Sequence, residues 1–360
     1  MINDRFKISP YLVFFIISTN QIGVGVLGFQ RIISKSAGND SWIAIILAGI
    51  GVHIILFLMY RMLEESEGDI VSIHQRALGK WIGNSMSVIF LLLVASESLV
   101  VIRTYLEVIQ VWMFPEINVW IFTLFLLLLV TYIIFGGFRT ITGICFFSII
   151  LPAYLFFTVV FPLEFSHFRN LLPILDHSVL ELAKATKDMS LSVIGFEVLF
   201  IIYPFIKNPE KSKKWAHLGV MYTTFVYLVF GLTALVFFSH AQLDKQIWAT
   251  LSMWKIVELP IVERFEYVGI ASWLLVIIPN VCLSLWGSSR LIKRLFNLKQ
   301  KVSLWFLSLI VLIACGLLTN RSEINIVLDA YSRIGFYFIY GYIPCLFLLS
   351  VIMNKVRRRE

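Results

Sequence analysis

The stretch Gln21-Ile22-Gly23-Val24-Gly25-Val26-Leu27-Gly28 decides how this chain is read. It spells GxGxxG, which after a strand in a soluble protein would hint at dinucleotide binding. Here it interrupts an apolar run from about residue 9 to 33, long enough to cross a bilayer, so that reading fails. Three glycines this close weaken a helix by roughly 1 kcal/mol apiece relative to alanine. Two uses of that weakness fit a membrane interior. One is close helix packing of the small-xxx-small kind. The other is an unwound segment whose freed N–H groups face a ligand, tolerable at that depth only where it lines a cavity.

The rest of the chain confirms that the solvent is lipid. Of 360 residues, 59% are hydrophobic and 14% charged, and the mean hydropathy is +0.86; ordinary soluble domains carry about 25% charged residues. The net charge of +8 lies between apolar runs and not on a clustered basic surface, so no nucleic-acid partner is expected. Cys145, Cys282, Cys315 and Cys345 fall inside apolar runs without CxxC spacing or a nearby His. They read as buried inert thiols, and no metal, cofactor or disulfide is expected. No HExxH, GxSxG or Walker motif is present, and no loop is long enough for a catalytic domain, so an enzyme is not expected.

Apolar runs place ten spans near 9 to 33, 41 to 61, 81 to 109, 117 to 136, 140 to 162, 187 to 206, 216 to 240, 266 to 290, 302 to 319 and 333 to 353. The first, lacking a small-residue cleavage site, is kept as a span and not a signal peptide. The connecting stretches 163 to 186 and 241 to 265 mix apolar with charged residues and suit short interfacial helices. With the N terminus inside, nineteen Lys and Arg fall on the cytoplasmic side and ten on the other, which puts both termini in the cytoplasm.

The sixth span repeats the anomaly of the first: Ser190-Leu191-Ser192-Val193-Ile194-Gly195-Phe196-Glu197 sets a glycine among polar residues midway through an apolar run. Spans one and six correspond if the fold is two halves of five, about 9–162 and 187–353, in a single integral domain. An odd number of spans per half inverts the second half and brings the two broken helices together at mid-membrane. Glu97 in span three and Glu197 then sit where an unpaired charge costs about 3 kcal/mol or more, so each needs a partner, a proton or water. Arg103 and Glu107, spaced i, i+4, read as a structural ion pair. Val101 and Thr104 share the Glu97 face and suit a pocket wall. In span eight, Pro279 and Asn280 precede Ser284 and Gly287-Ser288-Ser289, either a packing kink or part of the site.

Together these residues resemble the B subunit of the spore-germination nutrient receptors, a branch of the amino acid, polyamine and organocation transporter superfamily. The resemblance covers nearly the whole chain. It rests on Ile8-Ser9-Pro10-Tyr11 followed by Gln21 to Gly28, on Ile194-Gly195-Phe196-Glu197-Val198-Leu199 with Tyr203-Pro204, and on Gly136-Gly137 with Pro152. One departure is Phe29-Gln30-Arg31, where the family carries Leu-Pro-Arg. The resemblance implies an all-α inverted five-plus-five fold, residence in the spore inner membrane, and assembly with a larger A subunit and a lipoprotein C subunit. It implies a nutrient ligand such as an amino acid, its carboxylate held by the backbone of Gly23, Val24, Gly25 and Val26 and its amine by the half helix that ends before Gly195. Phe196, Leu199 and Val101 would then set the pocket size.

The function expected is therefore a nutrient sensor that signals to partner subunits. A proton-coupled amino acid symporter using Glu97 or Glu197 is the alternative, and a scaffold with relic breaks a third.

Overall fold

Capping residues at the edges of apolar runs set where the helices start. The computed structural model describes residues 3–66, 68–260 and 262–357; Arg358 and Arg359, counted above among the cytoplasmic charges, lie outside them. Helices α1 (Val13–Gln21) and α2 (Phe29–Ala37) flank the glycine segment, and α3 (Ser41–Ser66) follows. α4 (Ile70–Trp112), kinked at Gly79 where φ is +77°, begins on Asp69, whose carboxylate accepts the Ser72 N–H at 3.0 Å. α5 (Val119–Phe135) turns into α6 (Phe138–Glu164) at Gly137, whose φ of +89° L side chains avoid.

α7 (Val179–Ser192) starts from a capping box, the Ser178 N–H donating to Glu181 at 2.8 Å and the Glu181 N–H to Ser178 Oγ at 3.3 Å. There follow α8 (Phe196–Phe205), α9 (Lys213–Phe237), the short α10 (His240–Leu243) and α11 (Ala249–Trp254), then α12 (Phe265–Phe296), α13 (Gln300–Leu317) and α14 (Arg321–Met353). Among the described residues there is no strand.

The chain is an all-α, multi-pass membrane protein. Leu92, Phe125, Tyr132, Phe306 and Ile352 stand exposed on outer faces, as a lipid-facing surface requires. By length and hydropathy seven helices among the described residues can span, or eight if α7 and α8 form one bent span. α5 is a shorter apolar helix of 17 residues, and α1 is a further helix of nine. α4 and α12 make the most extensive helix contact, α1 packs on α9 and α6, and α7 lies against α2 and α3.

Four expectations need correction. Helices extend past the apolar runs, α7 starting at Val179 and not near 187, and α14 at Arg321 and not near 333, because capped polar turns continue beyond the apolar core. The stretch 241 to 265 is not interfacial throughout: Leu251, Met253 and Trp254 of α11 are buried in the protein. Glu107 pairs with Arg321, while Arg103 donates from Nε to the Leu318 carbonyl at 2.9 Å; a bundle neighbour outcompetes the i, i+4 partner. Cys345 is exposed, on a face of α14 turned away from the core, while the other three thiols are buried.

The turn between α2 and α3 fastens the loop after α6. The Asp40 carboxylate is wholly buried and accepts the N–H groups of Leu175 (2.8 Å), Asp176 (2.9 Å) and His177 (3.2 Å), with His177 Nδ1 at 3.0 Å. Replacing Asp40 by Ala strips these donors of their acceptor. The variant should lose about 2 kcal/mol of stability, read as a lowered thermal midpoint with faster amide exchange at 175–177; unchanged exchange there would show that the clamp does not hold the loop.

Candidate functional site

Both expected breaks are present. The last bond of α1 is Ile22 N–H to Ser18 O at 2.9 Å; Gly23 is extended, and Val24–Leu27 wind as a tight 3-10 turn before α2 resumes. α7 ends at Ser192, and α8 leaves it at 53°. Gly195 sits at φ +123°, and a Cβ there would lie 2.3 Å from the Asn20 carbonyl oxygen. Glycine is needed both for the conformation and for the approach of the two breaks.

Side chains knit the breaks together. Asn20 Nδ2 donates to Gly195 O at 2.7 Å and Gln21 Nε2 to Val193 O at 2.8 Å. The Tyr227 hydroxyl of α9 bridges Ser192 O at 2.7 Å and Gln21 O at 3.2 Å. Asn280 Nδ2 of α12 reaches Asn20 O at 3.4 Å. Carbonyls that a ligand amine was expected to use are thus already met by donors of the protein. The unpartnered groups are the acceptor ends of the same amides: Asn20 Oδ1, Gln21 Oε1 and Asn280 Oδ1 are buried without a hydrogen bond.

The two carboxylates join this cluster. Glu197 is 2% exposed and accepts the Gly195 N–H at 2.8 Å. Glu97 is buried, within electrostatic reach of Glu197 and close to the Asn20 amide, and Tyr331 of α14 lies near both acids. None of the ion pairs among the described residues involves either acid. The cluster is acidic and rich in acceptors, which suits a guest that brings donors.

Neighbouring segments pack against both broken helices. On one side α11 sits on the α1 break: Thr250 Oγ1 donates to Val26 O and receives Gln30 Nε2, both at 2.8 Å. On the other, the chain before α1 pairs with the end of α8, Ile8 N–H to Phe205 O at 2.8 Å and Lys207 N–H to Ile8 O at 2.9 Å. There Trp286 stacks on Phe138 with centroids 4.5 Å apart.

Of the residues expected at the site, Gly23, Val24, Gly25, Val26, Gly195, Phe196 and Glu197 lie on the two breaks, and Glu97 on α4 beside them. A Cβ on Gly23 would meet Asn280 at 3.3 Å and one on Gly25 Tyr227 at 3.3 Å, yet Gly25 itself remains exposed. Leu199 is buried in α8, and Val101 is partly buried. Thr104 bonds back to Val100 O at 2.7 Å. Ser284 joins α12 to α4 through Val94 O and the Ser98 N–H, and Gly287 makes room for Ile201. Ser284 and Gly287 thus make contacts between helices, while the Thr104 bond stays within α4. Sequence reasoning missed Asn20, Gln21, Tyr227 and Tyr331 and left Asn280 uncounted. Asn20 and Gln21, polar in mid-span next to the glycines, carried a readable signal; Tyr227 and Tyr331 carried none.

Residues 7–324 match a family model described as spore germination protein. Spore germination protein GerQB of Bacillus cereus is 45% identical over 354 residues, 98% of either chain. Spore germination protein YndE of Bacillus subtilis (strain 168) is 23% identical over 366 residues, 100% of this chain and 99% of its own. Among solved structures, MhsT in complex with L-phenylalanine superposes with a TM-score of 0.62 at 13% identity, covering 95% of this chain and 98% of that one. A substrate-bound, outward-open Na+-coupled sialic acid symporter gives 0.63 at 13% identity, covering 96% and 79%. At such identity the likeness establishes a shared transporter fold.

The glycine requirement is testable. Gly195→Ala should destabilise the protein by about 2 kcal/mol or more, whereas Gly143→Ala, on α6 with nothing within 4 Å of the added Cβ, should be neutral or slightly stabilising. Equal thermal midpoints for the two variants would contradict the strained break.

Proposed function

The chain belongs to the spore germination protein family, and from that premise we propose that it is the nutrient-binding subunit of a germinant receptor. Its guest would be a small ammonium-bearing nutrient such as an amino acid, held between the α1 break and the α7–α8 break. The chain is a permease-like germination protein with a transporter fold, and its named relatives are germination proteins.

The observation that most supports the reading is the surplus of acceptors. A buried acceptor without a donor costs about 1–3 kcal/mol, and among the described residues three amide oxygens are in that condition beside two carboxylates that enter no ion pair. An ammonium group supplies three N–H donors and one positive charge to this cluster. The ligand carboxylate would face the N–H groups of Gly23 to Val26, where the chain prepares to re-enter helix and the dipole is favourable. Val101, Phe196 and Leu199 would bound its side chain, and Thr104, Ser284 and Gly287 would support the wall behind.

In this reading the halves 9–162 and 187–353 form an inverted repeat of ten spans in one integral domain, with both termini cytoplasmic. The protein would reside in the spore inner membrane and report occupancy to an A subunit and a lipoprotein C subunit. The paired carboxylates favour one second reading, a symporter that loads a proton on Glu97 or Glu197.

A thermal-shift screen of the detergent-solubilised protein against amino acids, sugars and nucleosides tests the site. An L-amino acid should raise the midpoint. Gly25→Val, which pushes into Tyr227 and Ser192, should remain folded and lose that shift; a retained shift would place the ligand elsewhere. Glu197→Gln should weaken the response by about tenfold or more, the size expected for a hydrogen bond to a charged group. Concentrative, pH-driven uptake into liposomes without partner subunits would replace the sensor by the symporter.

A further inference from the structure

A second recess opens on the outer flank of α1, independent of the nutrient reading. Side chains of α1, α6 and α9, among them Phe14, Phe146, Trp215, Tyr222 and Phe225, line an open apolar groove of about 710 Å³. On α9 its lining residues recur as Trp215, Leu218, Tyr222 and Phe225, one helical face. At 1.5 Å per residue they span about 15 Å, half of a hydrocarbon core of about 30 Å. The inner end lies at the level of the breaks, since Tyr227, two residues on, bonds Ser192 and Gln21. The groove therefore has the depth of one leaflet.

The other end is basic. Lys211 stands one turn before Trp215 and Lys214 one turn before Leu218, and both are exposed. None of the ion pairs among the described residues includes either lysine. Lys7, one turn before the lining residue Tyr11, is held by Asp4 at 2.9 Å. Tyr11 and Trp215 meet edge to face at 6.3 Å. Such aromatics mark the level where headgroups meet acyl chains.

We propose that this groove is a site for an anionic phospholipid, one acyl chain lying along Trp215 to Phe225 and the phosphate facing Lys211 and Lys214. A transmembrane helix of a partner would continue its contacts through both leaflets, but the groove stops at mid-membrane. A neutral lipid would leave both ammonium groups without a counter-charge. The lipid would also act on the broken helix. α1 forms one wall of the groove, with Phe14 and Ser18 close to Gly219 of α9, and α1 ends at the break itself. An occupied groove thus braces α1 in the position seen here.

The protein is purified, exchanged into equal phosphatidylglycerol and phosphatidylcholine of identical chains, and lipid retention counted by native mass spectrometry. Wild-type protein should retain phosphatidylglycerol in preference. Lys211→Gln with Lys214→Gln should cut that preference roughly fivefold per lysine, the value of one basic residue at an anionic surface. Lys293→Gln with Lys301→Gln, on α12 and α13 away from the groove, should leave it unchanged. Met221→Trp, filling the groove, should lower retention while both lysines remain. Equal retention of the two lipids by wild type, an undiminished preference in the Lys211/Lys214 variant, or an equal loss in the Lys293/Lys301 control would each overturn the proposal.

Discussion

The structure depends on one constraint: a peptide group removed from helix inside a bilayer has no water to bond, so the protein must supply its partner. The two breaks expose such groups at one level, and the answer is a set of amide and hydroxyl side chains. Asn20 and Gln21 bond the carbonyls of Gly195 and Val193, Tyr227 bonds Ser192, and Asn280 reaches Asn20. A primary amide is suited to this because it donates at one end and accepts at the other. Satisfying a carbonyl with the donor end leaves the acceptor end turned elsewhere. The excess of acceptors in the cluster is thus a direct consequence of how the breaks are stabilised.

The same bonds make the breaks into a junction. Asn20 and Gln21 belong to α1, Gly195 and Val193 to the other break, Tyr227 to α9 and Asn280 to α12, so four elements meet through groups that each depend on the others. The glycines permit the approach: a side chain at Gly195 would collide with Asn20 O. Away from the junction the helices are held by ordinary apolar packing and by fasteners such as Asp40, which keeps the loop after α6 on the α2–α3 turn.

What the residues disclosed follows from how local the signal was. The breaks were legible because glycine and polar residues in an apolar run conflict with helix, and the conflict sits at 21–28 and 190–197 in the sequence itself. Glu97 and Glu197 were legible because charge at that depth demands an explanation. Tyr227 was not, since a tyrosine in span seven looks like any packed aromatic; only the tertiary fold places its hydroxyl between Ser192 and Gln21. Glu107 misled for the same reason, because an i, i+4 spacing indicates a partner on its own helix while Arg321 reaches it from α14. The stretch around Trp254 read as interfacial because Lys255 and Glu258 flank it, but Leu251, Met253 and Trp254 turn inward, Trp254 packing on Gly269 of α12.

Neighbouring segments brace the junction on the proposed reading. α11 covers the α1 break from one side, and the Ile8–Lys207 pairing fastens the other. A ligand ammonium would, on that reading, bond the open acceptor ends of Asn20 and Gln21, and turning either amide toward it strains the donor bond by which the same side chain holds α1 to the second break. A ligand can move an equilibrium only by as much as it prefers one state over the other. Here the preference would have an identifiable source, because the amides that meet the guest at one end hold the two breaks together at the other. On the proposed reading, binding and the position of α1 would be coupled through those shared amides.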